Sequence, residues 1–277
     1  MIALTGAPSP LAAITLDVAP SFEFGPVELA WHGVMIAIGM ALGTLLIARM
    51  APGRGLERDR ALDGAVAIAV AGIVGSRLFF IAQDAPADLV QPSAWLGTRG
   101  FAFYGAMIAA PAATWLVLRG TRRVRDYLDL YALIFPLGMA VGRIGDLLSG
   151  EHYGPPTSAP WGFIYPHPDS ETPLRDVAYQ AGAFYEILAA ATLFAVVWAA
   201  RRRFTVPGVL ACVVVAGYAA SRFLIFFVIR DSPEIGLGLR QAQWTSLVLV
   251  AASIAAIAMF RHQAAIRPHA SVTVESP

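Results

Sequence analysis

The chain has 277 residues, of which 57% are hydrophobic and only 14% are charged. This composition excludes an ordinary soluble domain, in which charged residues are much more frequent. So low a charged fraction also excludes a disordered chain and a nucleic-acid-binding protein, because both depend on abundant charge. The net charge of +1 indicates no class of partner by itself. A polytopic membrane protein remains.

Seven apolar segments are long enough to cross a bilayer as helices. An α-helix rises about 1.5 Å per residue, so about 20 apolar residues cross a hydrocarbon core about 30 Å thick. The predicted spans are residues 27–48, 62–82, 101–118, 127–148, 178–200, 207–229 and 243–260. The predicted fold class is therefore an all-α integral membrane protein with seven transmembrane helices.

The arginines predict how these spans are oriented. Arginines follow every odd-numbered span, at residues 49–60, 119–125, 201–203 and 261–267. Basic residues in short loops stay on the cytoplasmic side of a membrane. We therefore expect the amino terminus outside and the carboxyl terminus in the cytoplasm.

Three regions follow from this orientation. Residues 1–26 are predicted to be an extracytoplasmic amphipathic lead-in, residues 27–260 the membrane domain, and residues 261–277 a cytoplasmic tail. The longest loop, at about residues 149–177, joins spans four and five and is rich in glycine, proline and aromatic residues. Such a stiff, aromatic segment is expected to lie on the outer membrane interface as a lid.

Other arginines lie in even-numbered spans or in the loops that follow them. They include Arg77, Arg143, Arg222 and Arg230. An arginine near the middle of a membrane costs at least about 2.5–3.5 kcal/mol on insertion scales, so these side chains need anionic partners. Carboxylates of the chain are one possible set of partners, and anionic lipid is the other.

The densest polar motif is GRIGDLLSGEHYG, at residues 142–154. Arg143 and Asp146 are three residues apart and share a helical face, while Glu151 and His152 follow a glycine break. A guanidinium suits bidentate binding of phosphate, and glycines allow a headgroup to approach the backbone closely. The motif predicts a lipid-phosphate site. The histidines show no metal-ligand spacing, so no metal is expected.

This motif, with PWGFIYP at residues 160–166, resembles the signature of the bacterial prolipoprotein diacylglyceryl transferase family. The resemblance continues through most of the chain, in order, in the segments SFEFGPVELAWHGVMIAIGM at residues 21–40, GSRLFF at 75–80, FYEIL at 184–188 and GYAASRFLIFFVIRDSP at 217–233. The family resemblance implies the same seven-span topology.

The resemblance also implies an activity. That family transfers the diacylglyceryl group of phosphatidylglycerol to the lipobox cysteine thiol of an exported preprolipoprotein, forming a thioether and releasing glycerol phosphate. It implies no metal or other cofactor, and a location in the bacterial cytoplasmic (inner) membrane. Arg143 and Arg222 are expected to neutralise the departing phosphate. The expected substrate-binding residues are these two arginines with Arg77, Gly150, Glu151, Gly154, Tyr185, Glu186 and Arg230.

The chain departs from the family pattern at several polar positions. Tyr104 stands where relatives usually have histidine, Asp146 where they have asparagine, Phe226 where they have glutamate, and His32 where they commonly have tyrosine. Residues 181–183 likewise replace proline, serine and glutamine.

These changes suggest a relocated base. The attacking sulfur must be a thiolate, but a free cysteine has a pKa of about 8.5 and is mostly protonated at neutral pH. We expect His32 to act as the base, with Tyr104 and Asp146 hydrogen-bonding either the imidazole or the substrate glycerol. The alternatives are a packing role for His32 and an interfacial aromatic role for Tyr104.

Two other functions stay open at this point. One is a diverged paralog that transfers a lipid-derived group to another acceptor. The other is a catalytically silent membrane protein that binds anionic lipid or lipoprotein.

Overall fold

The structure, a computed structural model, describes residues 13–95, 103–229 and 234–266. Helices account for most of these residues. They are α1 (Trp31–Met50), α2 (Arg58–Asp84), α3 (Pro92–Trp95), α4 (Phe103–Leu118), α5 (Val124–Ser149), α6 (Gly182–Ala200), α7 (Val209–Val228) and α8 (Gln241–Ile266). Short 3₁₀ turns lie at Pro52–Arg54, Pro86–Val90 and Arg201–Arg203.

Six of the described helices are long and apolar enough to cross a membrane, namely α1, α2, α5, α6, α7 and α8. This confirms the prediction of a mostly helical, multi-pass membrane protein. The predicted third span corresponds to α4, which has 16 residues. At about 1.5 Å per residue such a helix is shorter than the roughly 30 Å hydrocarbon core. The count of seven spans, their orientation and the lid therefore stay predictions.

Short strands form three small sheets beside the helices. The strands are β1 (Ile14–Thr15), β2 (Ser21–Phe24), β3 (Val27–Ala30), β4 (Tyr153–Pro156), β5 (Phe163–Ile164), β6 (Tyr179–Ala181), β7 (Glu234–Gly236) and β8 (Leu239–Arg240). The largest sheet has the order β1-β5-β6-β4, with β1 parallel to β5. The other two sheets are the antiparallel hairpins β2–β3 and β7–β8.

Two of these strands take residues that were predicted to begin membrane spans. The first span was expected from residue 27, but β3 ends at Ala30 and α1 begins at Trp31. The fifth was expected from residue 178, but β6 precedes α6, which begins at Gly182. The strands therefore set where the helices α1 and α6 start.

The chain divides into two units. One contains residues 1–39 and 135–277, and the other contains residues 40–134. In the second unit α2 packs closely on α4, because a Cβ added to Gly75 would lie 2.7 Å from the carbonyl oxygen of Gly105. Only glycine fits such a contact.

In the first unit α1 packs on α5 through glycines. A Cβ added to Gly39 would lie 2.9 Å from the carbonyl oxygen of Gly138, so these glycines allow the two helices to pack closely. The two helices are closer still at the start of α1, because a Cβ on Gly145 of α5 would lie 2.6 Å from His32 Cα. The first turn of α1 is therefore held directly against the last turns of α5.

Candidate functional site

Four helix ends of the first unit meet around a cluster of charged side chains. His32 is the second residue of α1, and Arg143 and Asp146 lie in the last two turns of α5. Glu186 lies near the start of α6, and Arg222 lies near the end of α7. The cluster therefore combines residues that are far apart in the chain.

His32 and Asp146 form a hydrogen-bonded pair. The Asp146 carboxylate is fully buried, and its Oδ1 atom accepts a hydrogen bond from His32 Nδ1. Since an ionised carboxylate only accepts, Nδ1 carries a proton, and in the neutral form of the imidazole Nε2 is the atom with the free lone pair. The imidazole is 41% exposed, so a substrate can reach it. The pair has the arrangement of a base held by an orienting carboxylate.

The second oxygen of Asp146 belongs to an alternating chain of charges. Arg143 Nη1 donates to Asp146 Oδ2, and Arg143 Nε lies 2.7 Å from Glu186 Oε2. Arg222 Nη1 donates to Glu186 Oε1. Two guanidinium groups thus converge on one buried carboxylate. The Nε atom of Arg143 is buried and makes no well-directed hydrogen bond within the described part of the chain, despite its short ion-pair distance.

Glu151 and His152 complete the cluster from the segment after α5. Glu151 Oε2 lies 3.7 Å from His32 Nδ1, and His152 Nε2 lies 3.9 Å from Asp146 Oδ2. Burial raises the pKa of the Glu151 carboxyl above its ordinary value, although the nearby imidazole acts in the opposite direction. Glu151 therefore holds its proton to a higher pH than an exposed glutamate does.

Comparison with known proteins identifies the family. Residues 20–259 match a family model described as prolipoprotein diacylglyceryl transferase. The chain belongs to the prolipoprotein diacylglyceryl transferase family.

Similar curated proteins carry the same name, phosphatidylglycerol–prolipoprotein diacylglyceryl transferase. The relative from Coxiella burnetii (strain Dugway 5J108-111) is 33% identical over 233 residues, which cover 78% of this chain and 83% of the relative. The one from Dehalococcoides mccartyi is 32% identical over 244 residues, or 86% and 92% of the two chains. The one from Parasynechococcus marenigrum is 30% identical over 248 residues, or 83% and 88%. The predicted family is confirmed, and with it the assignment to a family of transferases.

A departure from the family pattern has a physical role in this diacylglyceryl transferase homologue. Phe226 is buried, and the guanidinium carbon of Arg222 lies 4.6 Å from the centre of its ring. A cation over an aromatic face is stabilised without a hydrogen bond. The ring therefore packs against Arg222, whose Nη1 also donates to Glu186. Sequence analysis noted the substitution but missed this contact, which the spacing of four residues on a helix could have indicated.

The predicted glycines and Tyr185 lie in the chain segments next to the charged residues. Gly150 has a φ of 73°, a conformation that favours glycine. A Cβ on Gly154 would lie 2.6 Å from the carbonyl oxygen of Ile229, so a larger residue would separate these segments. The hydroxyl of Tyr185 accepts a hydrogen bond from Trp161 Nε1 at 2.7 Å and donates one to Gln180. These residues shape the segments that carry the charged groups.

Three predicted site residues are not placed in this cluster. Arg77 belongs to the second unit, where its Nε atom donates to the carbonyl oxygen of Ala94 at 2.8 Å. Tyr104 lies in α4 of the same unit, but its side chain is outside the part of the structure that is described. Arg230 lies outside the described residues. Their roles stay predictions.

Three groups of the cluster have the donor types of a metal site. His32, Asp146 and Glu151 each place one possible ligand atom within 4.8 Å of the others. However, Arg143 already binds the second oxygen of Asp146 and supplies the positive charge that a cation would bring. Arg143 therefore competes with a cation for this carboxylate.

Replacing Gly145 with alanine is expected to separate His32 from Asp146. The new Cβ would lie 2.6 Å from both His32 Cα and the carbonyl oxygen of Trp31, so α1 must move. Overpacking of this kind costs about 1–3 kcal/mol, and we expect at least a tenfold loss of catalytic rate from the displaced pair. Thermal unfolding in detergent and the transfer rate would measure both effects.

The matched control is Gly33→Ala, one residue after His32. A Cβ at Gly33 would meet no atom of the described residues within 4 Å. Alanine is the better helix former, so this variant should be as stable as the parent or more so and should keep its activity. Equal activity of the Gly33 and Gly145 variants would show that the close packing of α1 on α5 does not support the site.

Proposed function

We propose that this protein transfers the diacylglyceryl group of phosphatidylglycerol to the lipobox cysteine of exported prolipoproteins. The products are a thioether-linked diacylglyceryl cysteine and glycerol phosphate. The proposed location is the bacterial cytoplasmic (inner) membrane, with the charged cluster near its outer face, where exported precursors emerge. Membership of the family and the chemistry of the cluster support this proposal.

The convergence of Arg143 and Arg222 on Glu186 carries the proposal. Two guanidiniums that share one buried carboxylate can also share a phosphate, which offers more acceptor oxygens. Negative charge develops on the phosphate as its bond to the glyceryl carbon breaks. Positioned cationic donors in a dry site stabilise such charge strongly. The arginine pair therefore binds the headgroup and assists its departure.

His32 activates the thiol in this scheme. The Nε2 lone pair takes the proton of the lipobox thiol, while Asp146 holds the imidazole through Nδ1. The sulfur then attacks the glyceryl carbon that bears the phosphate ester. A carbon–sulfur bond forms, the carbon–oxygen bond breaks, and glycerol phosphate leaves with the bonding electrons. The reaction is a substitution at carbon, so it needs no oxidant or reductant.

Complementation tests the function. The chain would be expressed in a bacterium depleted of its own diacylglyceryl transferase, and a reporter lipoprotein would be analysed by mass spectrometry. We expect the reporter to gain the diacylglyceryl mass. We also expect purified protein to transfer the group from phosphatidylglycerol at the same rate with and without a metal chelator, because no step uses a cation.

The control is an acceptor whose lipobox cysteine is replaced by serine, which should gain no mass. A membrane-inserted protein that leaves the cysteine acceptor unmodified would contradict the proposal. If it still binds glycerol phosphate, the silent lipid-binding alternative or a different acceptor would replace it. A rate that falls with the chelator would instead indicate a cation at His32, Asp146 and Glu151.

A further inference from the structure

Asp146 is bound to two groups that serve different substrates. Its Oδ1 atom accepts from His32, and its Oδ2 atom accepts from Arg143. Under the proposed function, His32 acts on the acceptor thiol and Arg143 binds the lipid phosphate. One fully buried carboxylate therefore joins the two halves of the reaction.

We propose that Asp146 is a positioning residue that couples phosphate binding at Arg143 to proton abstraction by His32. The inference rests on the proposed function and adds to it a link between lipid binding and thiol activation. Before lipid binds, Arg143 neutralises part of the charge on Asp146. The carboxylate then supports the imidazolium form of His32 less strongly than it would with its full charge, so the base is below its full strength.

A bound phosphate changes this balance. Arg143 is shared between Asp146 and Glu186, and an incoming phosphate competes with both carboxylates for its guanidinium. As Arg143 turns to the phosphate, it neutralises the negative charge of Asp146 less. That charge then acts more strongly on His32. A buried charge acts strongly over such short distances. Binding of the lipid therefore promotes deprotonation of the thiol, so the base is strongest when a diacylglyceryl donor is in place.

The other charged groups near His32 do not provide this link. Glu151 lies 3.7 Å from His32 Nδ1, and His152 lies 3.9 Å from Asp146 Oδ2. The ion pairs of Arg143 within the described residues go to Asp146 and Glu186. Asp146 is thus the carboxylate that contacts both the phosphate-binding arginine and the base.

The test is Asp146→Asn, for which binding and catalysis should change in opposite directions. Removing a charged competitor for Arg143 should tighten the binding of glycerol phosphate by about tenfold, because bonds to charged groups are strong. The asparagine amide can donate to Nδ1 and so favour the wrong tautomer of His32, and kcat should fall by about 10²-fold or more. Calorimetry with glycerol phosphate and steady-state transfer assays would measure the two effects.

Asp126→Asn is the matched control, because it is the same substitution in the first turn of α5. It removes a carboxylate that is paired with Arg123 rather than with Arg143, so glycerol phosphate should bind within about twofold of the parent. If Asp146→Asn instead weakens glycerol phosphate binding in parallel with kcat, Asp146 has only a structural role and the coupling is wrong.

A second measurement needs no variant. A lipobox peptide bound to the parent protein would be alkylated with iodoacetamide at pH 7, with and without glycerol phosphate, and followed by mass to separate it from Cys212 of the chain. We expect glycerol phosphate to accelerate labelling of the peptide at least several-fold. Unchanged labelling with glycerol phosphate bound would overturn the coupling alone, whereas failure of glycerol phosphate to bind would overturn the proposed function.

Discussion

Replacing Arg143 with lysine is expected to lower kcat/KM for diacylglyceryl transfer by about 10²–10³-fold, the cost of losing one positioned donor to a developing charge. Lysine keeps the positive charge, but it cannot bind Asp146, Glu186 and a phosphate through a planar fork. Most of the loss should appear in kcat, because the contact strengthens as the phosphate departs. Transfer of radiolabelled diacylglycerol from phosphatidylglycerol to a lipobox peptide would measure it.

Arg201→Lys provides the control for this experiment. Arg201 follows the opposite end of α6 from Glu186, and its guanidinium carbon lies 4.4 Å from the centre of the Trp198 ring. The change is chemically the same but distant from the cluster, so the rate should stay within about twofold of the parent. Equal losses in the Arg143 and Arg201 variants would mean that arginine content, rather than the cluster, determines activity.

Replacing His32 with glutamine is expected to lower kcat at pH 7 by about 10²–10⁴-fold, the usual contribution of a positioned base. The loss should shrink as the pH rises. Below the thiol pKa of about 8.5, each unit of pH raises the thiolate fraction about tenfold. At higher pH the acceptor thiol therefore depends less on a base of the enzyme. A rate profile from pH 6 to pH 9 would therefore be steeper for the variant than for the parent.

His262→Gln is the corresponding control, because His262 is an exposed residue near the far end of α8. Its profile should match that of the parent. A His32 variant that keeps both the rate and the pH profile of the parent would leave His32 as a packing residue. The base would then have to be sought elsewhere, with Tyr104 the first residue to test.

The helical part of the fold was predictable because membrane spans are long and their apolar character is continuous. The residues at which the helices start were harder to predict. β3 and β6 have four and three residues, and such short strands carry no periodicity that distinguishes them from the first turn of an apolar helix. Strand pairing decides their conformation: β3 pairs with the neighbouring β2 in a hairpin, and β6 pairs with the more distant β4 and β5. For β6, sequence spacing does not reveal that pairing.

Part of the candidate site was predictable from the spacing of residues along one helix. Arg143 and Asp146 are three residues apart, and their helical spacing alone brings them together. Glu186 and Arg222 are 36 residues apart, so only the packing of α6 on α7 brings them into contact. The resemblance to the family named all four residues, yet the sharing of Asp146 between His32 and Arg143 appears only in the three-dimensional structure.

The parallel pairing of β1 with β5 has a consequence for biosynthesis. Ile14 and Thr15 pair with Phe163 and Ile164. The partner of β1 is therefore synthesised only after α5. Contacts between such distant parts of a chain form late, because closing a long loop costs entropy. During synthesis the first strand is therefore unpaired while the helices α1 to α5 insert. Ribosome-bound chains that end before β5 should accordingly be cut by protease near Ile14, and longer chains should be protected.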